Sequence, residues 1–339
     1  MAIVNLRYRE VTDSKRDLFQ YIQEQDIREN IEFIKPEDTL IYKTGGYSGN
    51  ITLECLKQNK THFFIKIMEN SENLIEDIEE IYRIYHKCYI PTARIIEKGN
   101  FKNLEICYII YSFCEGILVG DLLAELTIEE CLSIGNKIGK QMRKLSKVKE
   151  NKIKDKIELS VISKDTIQKL DYIYTNDKEE VKFYFTKEQF QKIKENLICY
   201  EKEFEKEELH LIHEDIKLGN IILNVKNQKL TIIDCEKMKY GYEIFNIQWA
   251  IYSSLNASHN REKYQSFIKG YIQEIYQNKI PLNIYKQIYY ICIVSFAVEL
   301  EASYGKRDIK RFYNILKIHK EMYNFLDEFD KKVDYLNLF

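Results

Sequence analysis

His213-Glu214-Asp215-Ile216-Lys217-Leu218-Gly219-Asn220-Ile221-Ile222-Leu223, followed by Leu230-Thr231-Ile232-Ile233-Asp234-Cys235-Glu236, is the stretch on which the reading of this chain turns. A polar loop leads into a short apolar run. Residues 221–225 and 229–233 are aliphatic or β-branched, and Lys226-Asn227-Gln228 between them is turn material, so the pair reads as a β-hairpin. The hairpin brings two acids, Asp215 and Asp234, and one amide, Asn220, towards one end of a small sheet. A carboxylate placed before such a hairpin can take a proton from a nucleophile. An amide oxygen and a second carboxylate can hold a hard cation. Phosphoryl transfer needs these parts, a positioned base and a cation that neutralises charge on the phosphates.

Upstream, residues 39–43, 51–56 and 61–67 read as three strands. The first two are joined by Thr44-Gly45-Gly46-Tyr47-Ser48-Gly49-Asn50, and Gln58-Asn59-Lys60 is the next turn. A glycine turn between strands can fold over phosphates, because backbone N–H groups come close where no side chain intervenes. A plain hairpin accounts for this loop as well. Lys66, between Ile65 and Ile67, points to one face of the third strand. It is either an exposed edge lysine or a phosphate-binding one. Residues 70–86 have helical spacing and carry Glu76, Glu79 and Glu80. Residues 94–98 and 104–111 read as two further strands, ended by Ser112-Phe113-Cys114-Glu115-Gly116.

His-x-Asp-x-x-x-x-Asn, then a strand and Asp, resembles the catalytic-loop and metal-site pair of the kinase fold. The form here, Ile212-His213-Glu214-Asp215 with Gly219-Asn220 and Ile233-Asp234-Cys235-Glu236, resembles the small-molecule branch: aminoglycoside phosphotransferases, choline kinases and their relatives. Glu214 stands where protein kinases carry Arg, Asp234-Cys235-Glu236 stands for Asp-Phe-Gly, and no Ala-Pro-Glu element follows. The resemblance implies an α+β, two-lobed protein-kinase-like fold. A small β-rich N-lobe with one helix would span 1–112, with 1–35 as an extension, and a larger, mainly helical C-lobe would span 113–339. It also implies Mg²⁺-dependent transfer of a γ-phosphate from ATP, or GTP, to a hydroxyl of a small molecule, an aminoglycoside or related amino-alcohol.

Residue by residue, the resemblance makes Asp215 the group that positions and deprotonates the acceptor hydroxyl. Asn220 and Asp234 would hold Mg²⁺. Lys66 would hold the phosphates together with Gly45, Gly46, Ser48 and Asn50, whose spacing is close to that of choline-kinase-like loops. Counting back from Ile90-Pro91 gives Glu79 as the anionic partner of Lys66, with Glu76 the alternate. The backbone of Phe113 and Cys114 would bond the nucleotide base. Tyr111 would limit the depth of the base pocket; a large aromatic there favours guanine, with ATP the default. Glu236 is a metal or substrate contact, or an exposed acid. Glu299 and Glu301 are candidates for binding a cationic acceptor, although acids at helix ends are usually solvated. His213 is expected to pack and hold the loop rather than to move protons. Two positions depart from the family. Ser146 follows Leu145 where relatives often have His, and Phe245-Asn246-Ile247 has Asn where Asp usually anchors the catalytic loop. Asn cannot offer a charge-assisted bond there. A second reading is a catalytically silent kinase-fold binding or structural protein, as some spore-coat relatives are. The intact set Lys66, Asp215, Asn220 and Asp234 favours the enzyme.

Composition sets the bounds. Net charge is −2 with both signs interspersed, which speaks against a nucleic-acid surface or a polybasic membrane patch. The longest apolar stretch, 288–298, falls short of the about 20 residues a membrane span needs. The eight cysteines include no Cys-x-x-Cys pair and read as free thiols of a reducing cytosol. The amino terminus lacks the apolar core of a signal peptide, so a cytoplasmic protein is expected. Nothing in the sequence fixes the oligomeric state. Further helices are expected over 15–32, 120–148, 186–208, 266–277, 282–304 and 306–329, with 151–180 a polar excursion, helical near 164–174.

Overall fold

Residues 22–43, 50–102, 104–149, 152–176, 181, 183–204, 207–256, 260–277, 279–281, 283–305 and 311–320 are described by the structure, a computed structural model. They fall into two compact units, Met1–Glu80 with Ala93–Cys114, and Ile81–Thr92 with Glu115–Phe339.

In the first unit, helix α1 (Glu24–Asn30) precedes strands β1 (Thr39–Tyr42), β2 (Ile51–Leu56) and β3 (His62–Glu69). Helix α2 (Leu74–Lys87) follows, then β4 (Ile95–Asn100) and β5 (Ile106–Ser112). The strands form one antiparallel sheet in the order β1-β2-β3-β5-β4. Side chains alternate between the faces of a strand. Ile51, Leu53, Cys55, Ile65, Ile67, Tyr108 and Ile110 therefore share one face, where they bury Ile27 and Ile31 of α1 in a common core. Lys66 lies on the opposite face. Thr52, Lys66, Ile109 and Lys98 stand in one cross-strand row there.

The second unit opens with β6 (Ile117–Leu118), α3 (Val119–Leu122), α4 (Ile128–Leu145), α5 (Leu159–Asn176) and α6 (Lys187–Glu201). Then come β7 (His210–Ile212), β8 (Ile221–Asn224), β9 (Lys229–Ile232) and β10 (Lys239–Gly241). Helices α7 (Gln248–Asn256), α8 (Arg261–Ile275) and α9 (Ile284–Gly305) follow, and residues 311–320 are helical. The expected hairpin is present: β8 and β9 pair with Ile221 opposite Ile232 and Asn224 opposite Lys229, and β6 joins their edge. A ribbon of β7 and β10 pairs Ile212 with Lys239.

Helices α4 and α8 approach closely where both carry glycine. A Cβ on Gly135 would lie 2.0 Å from the Phe267 carbonyl oxygen, and one on Gly270 would lie 2.2 Å from that of Leu132. No side chain fits at either crossing point.

The structure corrects several sequence expectations. The helix expected over 120–148 is broken into α3 and α4. Thr127 stops and restarts it as an N-cap: its Oγ1 accepts from the Glu130 N–H at 3.1 Å, and the Glu130 carboxylate accepts from the Thr127 N–H at 2.8 Å. The excursion 151–180 contains an 18-residue helix, α5, that buries Leu159, Ser163, Thr166, Leu170 and Ile173. Of the helix expected over 15–32, only Glu24–Asn30 is helical among the described residues. The unit boundary also differs from a single break at 112/113, because 81–92 goes with the second unit. Its Ile81, Tyr82, Ile84 and Tyr85 are buried, and the Tyr85 ring meets His213 edge-on, centroids 6.1 Å apart.

Candidate active site

Strand β7 ends at Ile212, and the loop that follows turns sharply. Glu214 has φ +69° and Asp234 φ +60°, both left-handed without being glycine. Such residues persist only where the surroundings hold them, and they gather at functional sites. Here the hold comes from Asn246. Its Oδ1 accepts from the backbone N–H of His213 at 2.7 Å and of Glu214 at 3.3 Å, and its backbone oxygen accepts from the Ile216 N–H at 2.7 Å. Lys239 closes on the Glu214 carboxylate at 2.7 Å.

His213 is fully buried, and its Nδ1 accepts the Asp215 N–H at 3.2 Å. The ring proton of the neutral imidazole therefore sits on Nε2. Burial holds the imidazole below its usual range, so it is neutral at pH 7. This geometry ties the imidazole to the backbone of the loop.

Asp215 is buried, at 4% exposed. Its Oδ2 receives Lys217 Nζ at 3.0 Å and Asn220 Nδ2 at 3.0 Å. Its Oδ1 is buried and has no hydrogen-bond partner among the described residues. An unmet buried acceptor costs about 1–3 kcal/mol, more for a charged group. One oxygen of the carboxylate is thus fixed and the other is kept ready for a donor.

Asn220 spends its amide protons on Asp215, on the side chain and on the backbone oxygen, each at 3.0 Å. Its own backbone oxygen accepts from the Ile233 N–H at 3.0 Å, which ties the loop to the residue before Asp234. The Asn220 side-chain oxygen and the half-buried Asp234 carboxylate are hard oxygen donors. No cluster of three or more His, Cys, Asp or Glu able to hold a metal exists among the described residues. A short oxygen set suits Mg²⁺, which keeps several waters and takes further oxygens from substrate phosphates. The residues therefore fit that ion.

In the first unit, Lys66 is 7% exposed, on the sheet face turned away from α1. Gly45, Gly46 and Ser48 lie outside the described residues; Asn50 precedes β2 and is half-buried. Glu79 departs from the sequence expectation. Lys98, in the same cross-strand row as Lys66, donates to the Glu79 carboxylate, and both Glu79 and Glu76 are exposed. Glu80, passed over in the sequence, is the half-buried acid of α2. Tyr111 is 2% exposed, opposite Phe64 on the Lys66 face. Phe113 is exposed beside His62, ring centroids 5.1 Å apart, and Cys114 follows it with Sγ 4.0 Å from the Ser112 carbonyl oxygen.

The late acids are occupied. Glu299 pairs with Arg311, and Glu301 with Lys169 at 3.1 Å, which also holds Asp165 at 2.9 Å. Glu236 is half-buried two residues after Asp234. Sequence reasoning missed the roles of Lys217 and Glu243. Lys217 carried a signal, a lone cation inside a loop of acids and amides. Glu243 carried none for this role: Asn246 is three residues away, but Ser146, Glu207 and Tyr271 reach it from distant parts of the chain.

A family model described as the phosphotransferase enzyme family matches residues 46–274, about two thirds of the chain. The chain belongs to this family. The matched span holds Lys66, Asp215, Asn220, Asp234 and Asn246. Solved structures agree on the fold. The GDP complex of aminoglycoside 2'-phosphotransferase-IIIa matches with TM-score 0.65 at 13% identity, covering 91% of this chain and 99% of that one. A GDP and kanamycin complex of APH(2")-IIIa matches with TM-score 0.64 at 12% identity, covering 88% and 97%. A streptomycin–ATP ternary complex of APH(2")-IIa matches with TM-score 0.54 at 18% identity, covering 91% and 99%. No curated protein matches the chain in sequence. The family's protein-kinase-like fold, a small antiparallel sheet unit and a larger helical unit, is the fold seen here.

Proposed function

We propose that this member of the phosphotransferase family moves the γ-phosphoryl group of a nucleoside triphosphate to a hydroxyl of a small molecule, an aminoglycoside or related amino-alcohol. The observation that carries the reading is the Asp215 carboxylate. Lys217 and Asn220 anchor Oδ2, while buried Oδ1 has no donor of its own. A hydroxyl arriving at Oδ1 would satisfy that oxygen and be oriented for in-line attack. As the oxygen–phosphorus bond forms, its proton passes to Asp215, and the nucleoside diphosphate leaves with the bonding pair.

Asn220 and Asp234 would hold Mg²⁺, which when bound supplies charge neutralisation to the phosphate oxygens. Lys66 of the first unit would hold the phosphates, with the 45–50 loop. Catalysis asks for positioning more than covalent chemistry. ATP is the proposed donor, and buried Tyr111 is the residue on which a preference for GTP would turn. Neighbouring structures solved with GDP and with ATP support nucleotide use.

The aminoglycoside reading of the acceptor draws support from neighbours bound to kanamycin and streptomycin. Of the three acids proposed to meet a cationic acceptor, Glu236 stands two residues after Asp234, while Glu299 and Glu301 hold cations of their own chain. All eight cysteines are free, which suits a reducing compartment such as the cytoplasm, and no described helix is long and apolar enough to cross a membrane. The test is nucleoside diphosphate release from Mg–ATP and Mg–GTP against a panel of aminoglycosides, amino sugars, choline and ethanolamine. Turnover with one acceptor is expected. Failure to bind either nucleotide would contradict the reading and favour a silent scaffold.

A further inference from the structure

The Asn246 amide has two isosteric orientations, and only one serves the loop. With the oxygen facing His213 and Glu214 it accepts both N–H groups; flipped, it would set donor against donors. The orientation is also supported at the other end of the amide, where Nδ2 donates to Glu243 Oε2 at 3.2 Å and the Tyr271 hydroxyl bonds the same side chain. Asn246 is fully buried and Glu243 is 9% exposed.

Glu243 is an odd choice for such a place, because a buried carboxyl is costly unless paired, and it has no ion pair among the described residues. The groups facing it come from several elements. Ser146, the residue after α4, offers its hydroxyl; Tyr271 of α8 donates to the Glu243 backbone oxygen at 3.5 Å; Glu207 and Tyr276 add negative or neutral neighbours. Burial pushes the Glu243 carboxyl up to about 7. Ser146 also donates to the Arg143 carbonyl oxygen at 3.1 Å. It can therefore donate to an ionised Glu243, or accept from a protonated one while keeping Arg143. In both states Glu243 still accepts from Asn246 Nδ2. Ser146 and Asn246 are thus joined through this one side chain.

We propose that Glu243 is a positioning residue for the catalytic loop. It locks the Asn246 amide, which holds the left-handed turn at Glu214 and so aims Asp215. The proposal rests on Asp215 being the base. The Glu243 carboxylate reaches the loop through the Asn246 amide, which stands between it and the His213 and Glu214 N–H groups.

The test relocates the charge. Glu243→Leu removes the acceptor and is expected to lower kcat roughly 10- to 100-fold, the scale of a misplaced reacting group, with the nucleotide KM little changed. Asn246→Asp alone sets two carboxyls together and should lose activity, recovering as pH falls and the pair gains a proton. Glu243→Gln combined with Asn246→Asp restores one donor and one acceptor across the bond and should recover activity to within about threefold of the wild type, without that pH dependence. Hydrogen exchange of the 210–217 segment is read alongside, on protein free of nucleotide. It should speed up in Glu243→Leu and return towards the wild-type rate in the double variant. A double variant no better than Asn246→Asp alone, or unchanged exchange in Glu243→Leu, would overturn the proposal. If the wild type transfers no phosphate, the kinase reading fails, and the exchange data still decide whether Glu243 holds the loop.

Discussion

At the scale of single residues, the proposed chemistry rests on Asp215. Asp215→Asn keeps the bonds to Oδ2 in kind but cannot take a proton, so turnover should fall about 10²- to 10⁴-fold, the worth of a general base. Nucleotide binding should persist, and the fold should stay close to the wild type in thermal stability, because the side chain keeps its shape and its bonds at Oδ2. Steady-state kinetics and a melting curve on one preparation check both. Asn220→Ala removes two bonds to Asp215 and one proposed cation donor; on that proposal half-maximal activity should need more Mg²⁺ than in the wild type, read by Mg²⁺ titration. These residues were legible in the sequence because their spacing is local. Asp215, Asn220 and Asp234 lie within one loop and one hairpin. Glu243 was not, because Ser146 meets it, and His213 meets its near neighbour Asn246, only through tertiary structure. Glu79 was hard to place because α2 carries three glutamates within five residues, and only the packed sheet shows Lys98 taking that one.

At the scale of elements, the α4–α8 crossing is the most sensitive joint. Gly135→Ala puts a methyl 2.0 Å from a backbone oxygen, so the helices must separate. A loss of about 1–3 kcal/mol is expected, as for overpacking in a core, against a change within about 0.5 kcal/mol for Gly219→Ala, where nothing lies within 4 Å. Chemical denaturation of the two variants compares them directly. The hairpin β8–β9 was readable because its apolar runs and turn residues are contiguous. The β7–β10 ribbon was not, since three-residue strands pair across 27 positions of sequence with no turn signature between them. Helix α5 escaped for another reason. Its buried stripe includes Ser163 and Thr166, so the apolar period is broken where the helix packs. Ser163 is satisfied there by the Tyr290 hydroxyl at 2.9 Å.

For the whole molecule, the buried Glu243 makes stability depend on pH. Its folded carboxyl titrates at about 7 against 4.5 for the ordinary group. The folded state therefore holds the proton more tightly, and its stability falls as pH rises from about 4.5 through 7. Relative to the wild type, Glu243→Gln should gain stability across that window, by up to about 3 kcal/mol above it, read as melting temperatures from pH 5 to pH 8. Binding is also a whole-molecule property: Mg–nucleotide at about 100 times its dissociation constant should stabilise the fold by roughly 2.7 kcal/mol. The most direct measurement is the mass of the acceptor after incubation with Mg–ATP, or Mg–GTP, and the wild type or Asp215→Asn. The account predicts one added phosphoryl group on a hydroxyl with the wild type and none with a variant that still binds nucleotide. An acceptor phosphorylated equally by both proteins would contradict it.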